Sequence, residues 1–539
     1  MWPQHYTPVG GSLAVSALVA ALPVFALLYL LGVKRKPAWM ASLAGLAAAI
    51  VVALLCYRMP PVTMLSAIGC GAATGLFPLG WVVFPAILLY RITVDTGKFE
   101  ILKDSIGSLT PDRRLQGLLI AFAFGAFIEG ATGFGAPVAV SAAMLVGLGF
   151  SPFYAAGICL LANTAPVAFG SIGLPILMLH KVTDLPMDRL GAAVGSISAP
   201  VALIVPTYLI LMMCGRKGLR GVLLGTAVCG VSFAGVQFLA SNLIGPQLVA
   251  MLSSLAAIAA LVGLLLVWKP KDEFHFEGEA SAPAAVRRHS PRELAVAWMP
   301  YGLLVVCVLL WGLPPVRGLL ERCSLEFSWP GLHNVIQRVP PVVPAPAPYP
   351  ARYIFNWLST PGSACFLAAI SSAAFLGMSP RRFARVLWQT AKQLLVPELT
   401  FAAVMALAYL MNYSGATATM GLAFAATGVL FPFFSALVGW LGVFLTGSDT
   451  SANALFGNLQ VVTAGHLHLS PVLMAAANSA GGVMGKMISL QSIAVAAAAS
   501  GLPSRDESRL FRFTLRHSII LASLIGLITA LYAYTGWVG

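Results

Sequence analysis

FGAFIEGATGFGAP, residues Phe124 to Pro137, is an apolar run with one carboxylate, Glu129, in its middle. It carries Gly125, Gly130, Gly133 and Gly135, with Thr132 and Pro137 beside them. Each glycine costs a helix about 1 kcal/mol relative to alanine. An unpaired carboxylate facing lipid costs at least a few kcal/mol. Such a stretch is therefore a poor lipid-facing helix, and its backbone must serve something else. An echo lies further on: LGVFLTGSDTSAN, Leu441 to Asn453, again rich in small residues and again with one carboxylate, Asp449.

The rest of the chain sets the solvent. Of 539 residues, 59% are hydrophobic and only 9% charged, against about 25% charged in a soluble domain. Mean hydropathy is +0.88. Most of the surface must face lipid. The apolar runs are long and continuous, which selects helices over the short alternating segments of a barrel. At about 20 residues per crossing, this length predicts an all-α polytopic membrane protein with about 12 to 14 transmembrane helices.

The net charge of +14 is spread over short loops, as the positive-inside rule expects. It forms no basic patch with interleaved aromatics, so no nucleic-acid partner is indicated. Lys34-Arg35-Lys36 follows the first apolar run. That places the cluster in the cytoplasm and the N-terminus outside. The eight cysteines form no CxxC pair and lie mostly in apolar runs. They read as small buried hydrophobes. Neither a cofactor nor a metal motif is present, and nothing in the sequence sets an oligomeric state.

Five segments follow in order. Residues 1–114 hold the N-terminal spans, among them the glycine-broken run Val62 to Tyr90, and an amphipathic interfacial stretch, Lys98 to Arg114. Residues 115–268 hold the first carboxylate stretch and the spans after it. A polar, basic linker, 269–293, is predicted to be cytoplasmic. Residues 294–393 include a proline-rich loop, 314–350, expected to be extracytoplasmic, extended and without a fold of its own. Arg381 to Lys392 reads as a second amphipathic cytoplasmic stretch. Residues 394–539 hold the second carboxylate stretch and the last span.

The two carboxylate stretches head two similar series. FGAFIEG is followed by Ser151-Pro152 and Ala162-Asn163-Thr164-Ala165; LGVFLTG is followed by Ser470-Pro471 and Ala477-Asn478-Ser479-Ala480. Gly-rich runs come next, FGSIGLPI and GGVMGKMISLQSI. The order predicts two structural repeats with broken helices or re-entrant hairpins, which commonly bracket a transporter's site at the membrane midplane. Unpaired backbone at a break is tolerated only where it lines a cavity or is covered by protein. Half-helix N-termini can then hold a small organic anion.

Glu129 fits a proton carrier, a partner of Lys486, or structural glue. Asp449 fits a cation ligand, a proton acceptor or a helix cap. Both are taken as the proton-coupling candidates. Lys486 is read as pairing with a substrate carboxylate or with Glu129 or Asp449. Thr132, Gly133, Asn163, Thr164, Ser448, Thr450, Asn453, Asn478, Ser479 and Gln491 complete the predicted substrate-binding set; the uncharged ones also suit helix–helix glue. No HExxH, GxSxG or interfacial carboxylate pair supports an intramembrane enzyme.

Four runs carry a resemblance: GSLTPDRRLQGLLIAFAFGAFIEGATGFGAPVAV from Gly107, YAAGICLLANTAPVAFGSIGLPIL from Tyr154, GWLGVFLTGSDTSANALF from Gly439, and GKMISLQSIAVA from Gly485. The chain resembles the bacterial L-lactate permease family over nearly its whole length. That resemblance implies an inner-membrane symporter of lactate, glycolate and related 2-hydroxy monocarboxylates with protons. It also implies that the repeats are inverted. A different small organic anion, or sodium in place of the proton, is the alternative.

Overall fold

The computed structural model describes residues 1–539 apart from 35, 134, 271, 273, 275–288 and 537–539. Most of the expected 269–293 linker, with Arg287 and Arg288, lies outside the described residues. Among those described, eleven helices are long and apolar enough to cross a membrane. Counting the bent pair Pro152–Ala162 and Val167–Thr183 as one further span gives twelve. Two shorter apolar helices, Ala136–Gly147 and Pro361–Phe375, accompany them. The protein is an all-α, multi-pass membrane protein.

The outside of the bundle is as apolar as a lipid contact requires. Leu266 and Val267 are 83% and 86% exposed, and Leu18, Phe25 and Leu55 are also open. Water would not tolerate so much contiguous apolar surface. The stretch that opened the sequence lies at the other extreme. The span Arg113–Ala131 is buried along its whole length. Phe122, Phe124 and Phe127 are enclosed, and Phe127 packs its ring on Trp298 and Tyr301.

A charged clamp fixes where this central span begins. The Asp112 carboxylate accepts from the backbone N–H groups of Arg114 and Leu115, capping the helix start. Arg114 is fully buried. It donates to Asp112 Oδ2 at 2.7 Å, to Asp272 Oδ2 at 3.2 Å and to the Gly218 carbonyl at 3.0 Å. A buried guanidinium is tolerable only with such a full set of acceptors.

Long spans break where glycine and proline stand. The broken third span runs from helix Pro61–Thr74 through an irregular Gly75–Gly80 to helix Trp81–Asp95, with Phe77 extended at φ −142°, ψ 126°. Met187–Leu243 is interrupted at Gly215 and Val222, on either side of the basic residues Arg216, Lys217 and Arg220.

The basic stretch Arg381–Lys392 opens one 35-residue helix, Pro380–Ser414, and runs without a break into the following span. Helix formers fill the join, and Pro397 stands inside the helix without ending it. In the first half, Lys98–Gly107 forms a separate helix with Phe99, Leu102 and Ile106 buried. Residues 314–350 are not simply extended polyproline. Leu325–Ser328 pairs antiparallel with Arg352–Phe355. Ile336–Arg338 pairs with Trp2–Pro3 and with Ala347–Pro348. Aromatic side chains hold this cap to the bundle: the Tyr353 hydroxyl donates to the Ala73 and Phe77 carbonyls, and that of Tyr413 to Pro350.

Helices Phe431–Thr446 and Pro471–Lys486 pack closely through glycines. A methyl group on Gly439 would collide with the Asn478 carbonyl oxygen. One on Gly481 or Gly485 would strike the carbonyls of Ala436 or Trp440. Small residues let backbones meet where lipid supplies no hydrophobic drive.

Candidate functional site

Both carboxylate stretches end in a break. After helix Gly125–Ala131, Thr132 donates its hydroxyl back to Ile128, and Gly133 and Gly135 take φ of 62° and 81°. Only glycine adopts such angles without strain. The facing segment is bent as well. Ser171, Ile172 and Gly173 have φ of 45°, 59° and 75°. For Ser and Ile this left-handed turn costs about 1–3 kcal/mol each. The Ser171 hydroxyl donates to the Thr132 carbonyl at 2.9 Å, tying one break to the other.

In the second stretch, Gly447 ends helix Phe431–Thr446 with φ 72°. The Ser448 side chain caps helix Asp449–His466 through the Ser451 N–H. Asp449 therefore stands in the first turn, at the positive end of the helix dipole. Lys486 occupies the opposite kind of position, the last turn of helix Pro471–Lys486. Each charge is favoured by the helix end that carries it.

The three charges converge. Lys486 Nζ donates to Glu129 Oε1 at 3.0 Å, across 357 residues of sequence. The Glu129 side chain is 3% exposed and that of Lys486 13%, so this is a buried pair. Glu129 Oε2 is sealed from solvent and has no hydrogen-bond partner among the described residues. Asp449 Oδ2 accepts from Ser479 at 2.6 Å, while Oδ1 is likewise buried and without a partner. Two carboxylates thus each keep one open acceptor. Room for them comes from glycine: a methyl on Gly170 would press on Glu129, and one on Gly482 on Asp449.

A cavity of about 280 Å³ brings Glu129, Ser448, Asp449, Thr450, Lys486 and Gln491 to one wall space. Beside it lies a vestibule of about 820 Å³ that bears Lys36 and Glu507 and shares Pro37, Ala38, Thr446, Gly447 and Gln491 with it. Six of the predicted residues therefore line the cavity. The other seven do not. Thr132 and Gly133 form the break behind Glu129. Asn163 ends helix Pro152–Ala162, and Thr164 bonds back to Leu161. Asn453, Asn478 and Ser479 join a buried network instead. Asn453 donates to the Pro175 carbonyl and to Ser479, Asn478 donates to Asn453, and Gln460 donates to Asn478. Asn478 lies inside a continuous helix, whereas Asn163 lies at a helix end.

Ser171, which lines the cavity, was not among the predicted residues. Its signal was the Gly-Ser-Ile-Gly run after Asn163, a break with a hydroxyl in it. The arrangement can hold a small anion: one ammonium with N–H groups to spare beyond the bond to Glu129, hydroxyl and amide groups, and two open carboxylate oxygens that accept protons.

The L-lactate permease family model matches residues 16–536. The chain is 46% identical to the L-lactate permease of Bacillus subtilis (strain 168), over 98% of each protein. It is 44% identical to the glycolate permease GlcA of Escherichia coli (strain K12), over 99% of this chain and 98% of that one. Among solved structures, the YdaH transporter of Alcanivorax borkumensis matches with a TM-score of 0.46 at 12% identity, covering 88% of each chain. The chain belongs to the L-lactate permease family, and is a membrane transporter rather than an enzyme.

Proposed function

We propose that the protein imports L-lactate, and with it D-lactate and glycolate, together with protons across the bacterial inner membrane. The observation that carries this reading is one small cavity lined by a lysine and two carboxylates, each carboxylate keeping an unpartnered oxygen. Relatives named for L-lactate and for glycolate support the substrate class, since both are 2-hydroxy monocarboxylates. Lys486 holds the substrate carboxylate. Ser171, Thr450 and Gln491 present hydroxyl and amide groups to the 2-hydroxyl. Glu129 or Asp449 takes up the proton, which keeps the loaded site near neutral and cheap to enclose.

By the positive-inside rule, the vestibule beside Lys36 faces the cytoplasm and the proline-rich cap faces out. The cavity then opens inward, at the release end of an alternating-access cycle. The test is uptake of labelled L-lactate into proteoliposomes under an inward proton gradient. Accumulation is expected, with collapse on adding a protonophore and competition by unlabelled glycolate. Uptake that ignores the protonophore and follows a sodium gradient would replace the coupling ion. In the same assay, Glu129→Gln is expected to abolish gradient-driven accumulation; wild-type accumulation in that variant removes Glu129 from proton coupling.

A further inference from the structure

A third carboxyl group lies among the membrane-spanning helices, and the cavity site leaves it unused. Glu398 sits on helix Pro380–Ser414, one residue after Pro397. Leu394, Glu398, Phe401 and Met405 recur every three or four residues, the spacing of one helix face. Leu394, Phe401 and Met405 belong to the core cluster that includes Leu79, Val83, Leu174 and Met178. Glu398 is carried on the same helix face, half-buried as a residue but with its carboxyl turned inward. Its Oε1 is sealed from solvent and has no hydrogen-bond partner among the described residues.

What faces Glu398 is backbone. Its Oε2 lies over Gly80, so close that a methyl there would collide with it. Gly80 closes the irregular stretch Gly75–Gly80 that breaks the third span. The neighbours Val396, Pro397, Thr400 and Phe401 line the cavity, so the helix that carries this carboxyl forms part of the cavity wall. The elements around its helix carry few titratable groups. Pro61–Thr74 brings Cys70; Trp81–Asp95 brings Tyr90, Arg91 and Asp95; Gly170–Thr183 brings His180 and Lys181; Asp449–His466 brings its two terminal residues. Ala38–Leu55 and Gly75–Gly80 bring none. No hydrogen bond or ion pair joins any of these to Glu398 among the described residues. Asp95 is held by Arg382, 16 residues or about 24 Å along the helix.

An ionised carboxylate with one oxygen sealed from solvent and unpartnered is costly, whereas a protonated one is far less so. We propose that Glu398 is a second proton-binding group of the transport cycle. It holds its proton in this conformation and releases it when the Gly75–Gly80 break moves and admits water. The proposal rests on the proton-symport reading above.

The test is Glu398→Gln in proteoliposomes, with two readouts. Counterflow exchange of labelled for unlabelled lactate needs no net proton movement and is expected to persist. Lactate-linked alkalinisation of the medium, and accumulation driven by a proton gradient, are expected to be lost. Glu398→Asp is expected to restore part of both. If wild type moves protons with lactate and Glu398→Gln does so equally, this proposal is overturned and symport stands. If wild type moves no protons, symport falls and the proposal with it. Should Glu398→Gln give no folded protein, Gly80→Ala carries the test, because its methyl displaces the carboxyl without removing it. Unchanged proton flux in that variant also overturns the proposal.

Discussion

Lys486→Met is expected to yield a transporter that takes up no lactate and is less stable than wild type. The substitution keeps the length of the side chain and removes its charge. Glu129, 3% exposed, is then left in the interior without its cation. Breaking a buried pair from one side costs about 3–5 kcal/mol. Detergent-solubilised Lys486→Met should therefore show a clearly lowered Tm. The double variant Glu129→Gln, Lys486→Met removes both charges, and its Tm should return toward wild type. Uptake should not return, because no ammonium remains to meet the substrate carboxylate. Recovery of both stability and uptake in the double variant would make the pair structural only.

Gly439→Val is expected to remove folded protein from the membrane altogether. A side chain at this position would meet the Asn478 carbonyl, part of a helix backbone that has no cheap way to move. Gly481 and Gly485 face the other helix in the same way, so the two helices would have to separate. Overpacking of an ordinary core costs about 1–3 kcal/mol; here the displaced object is a whole helix. That helix carries Lys486 at its end, and Ser479, which bonds Asp449. Size-exclusion profiles of tagged variants provide the measurement. Gly263→Val, at a site with nothing within 4 Å, is the control that should behave as wild type. A normal profile for Gly439→Val would mean that the helices do not pack this closely.

Much of this was legible from residue types. Glycine and a carboxylate in an apolar run can only mean a break covered by protein, and the backbone at Gly133, Gly135 and Gly447 is broken there. The contact between Glu129 and Lys486 stood among the pairings that the isolated charges allowed. Other features were hidden for physical reasons. An apolar helix reads alike whether it faces lipid or protein, so nothing announced that the part of Arg113–Ala131 ahead of the carboxylate stretch is enclosed as well. Asparagine and serine suit a ligand and a neighbouring helix equally well. Asn453, Asn478 and Ser479 satisfy one another behind the cavity, and only coordinates separate those uses. Glu398 follows closely on the charges of Arg381 to Lys392, and its depth emerges only because the helix runs on unbroken to Ser414. The β pairing of the cap joins Trp2 to Ile336, a partnership too distant for local patterning to reveal.

The close-packed glycine seam and the amide chain behind the cavity have a mechanical consequence. Gly439, Gly481 and Gly485, with Gln460, Asn478 and Asn453, bind helices Phe431–Thr446, Asp449–His466 and Pro471–Lys486 into one stiff block. Asp449 and Lys486 ride on that block. Glu129 rides on another, packed with Ala136–Gly147 and Val249–Val267. The 3.0 Å contact between Lys486 and Glu129 is thus a charged bond from one packed group of helices to the other. Under the proposed function, an arriving carboxylate that takes over Lys486 would be the key that releases it.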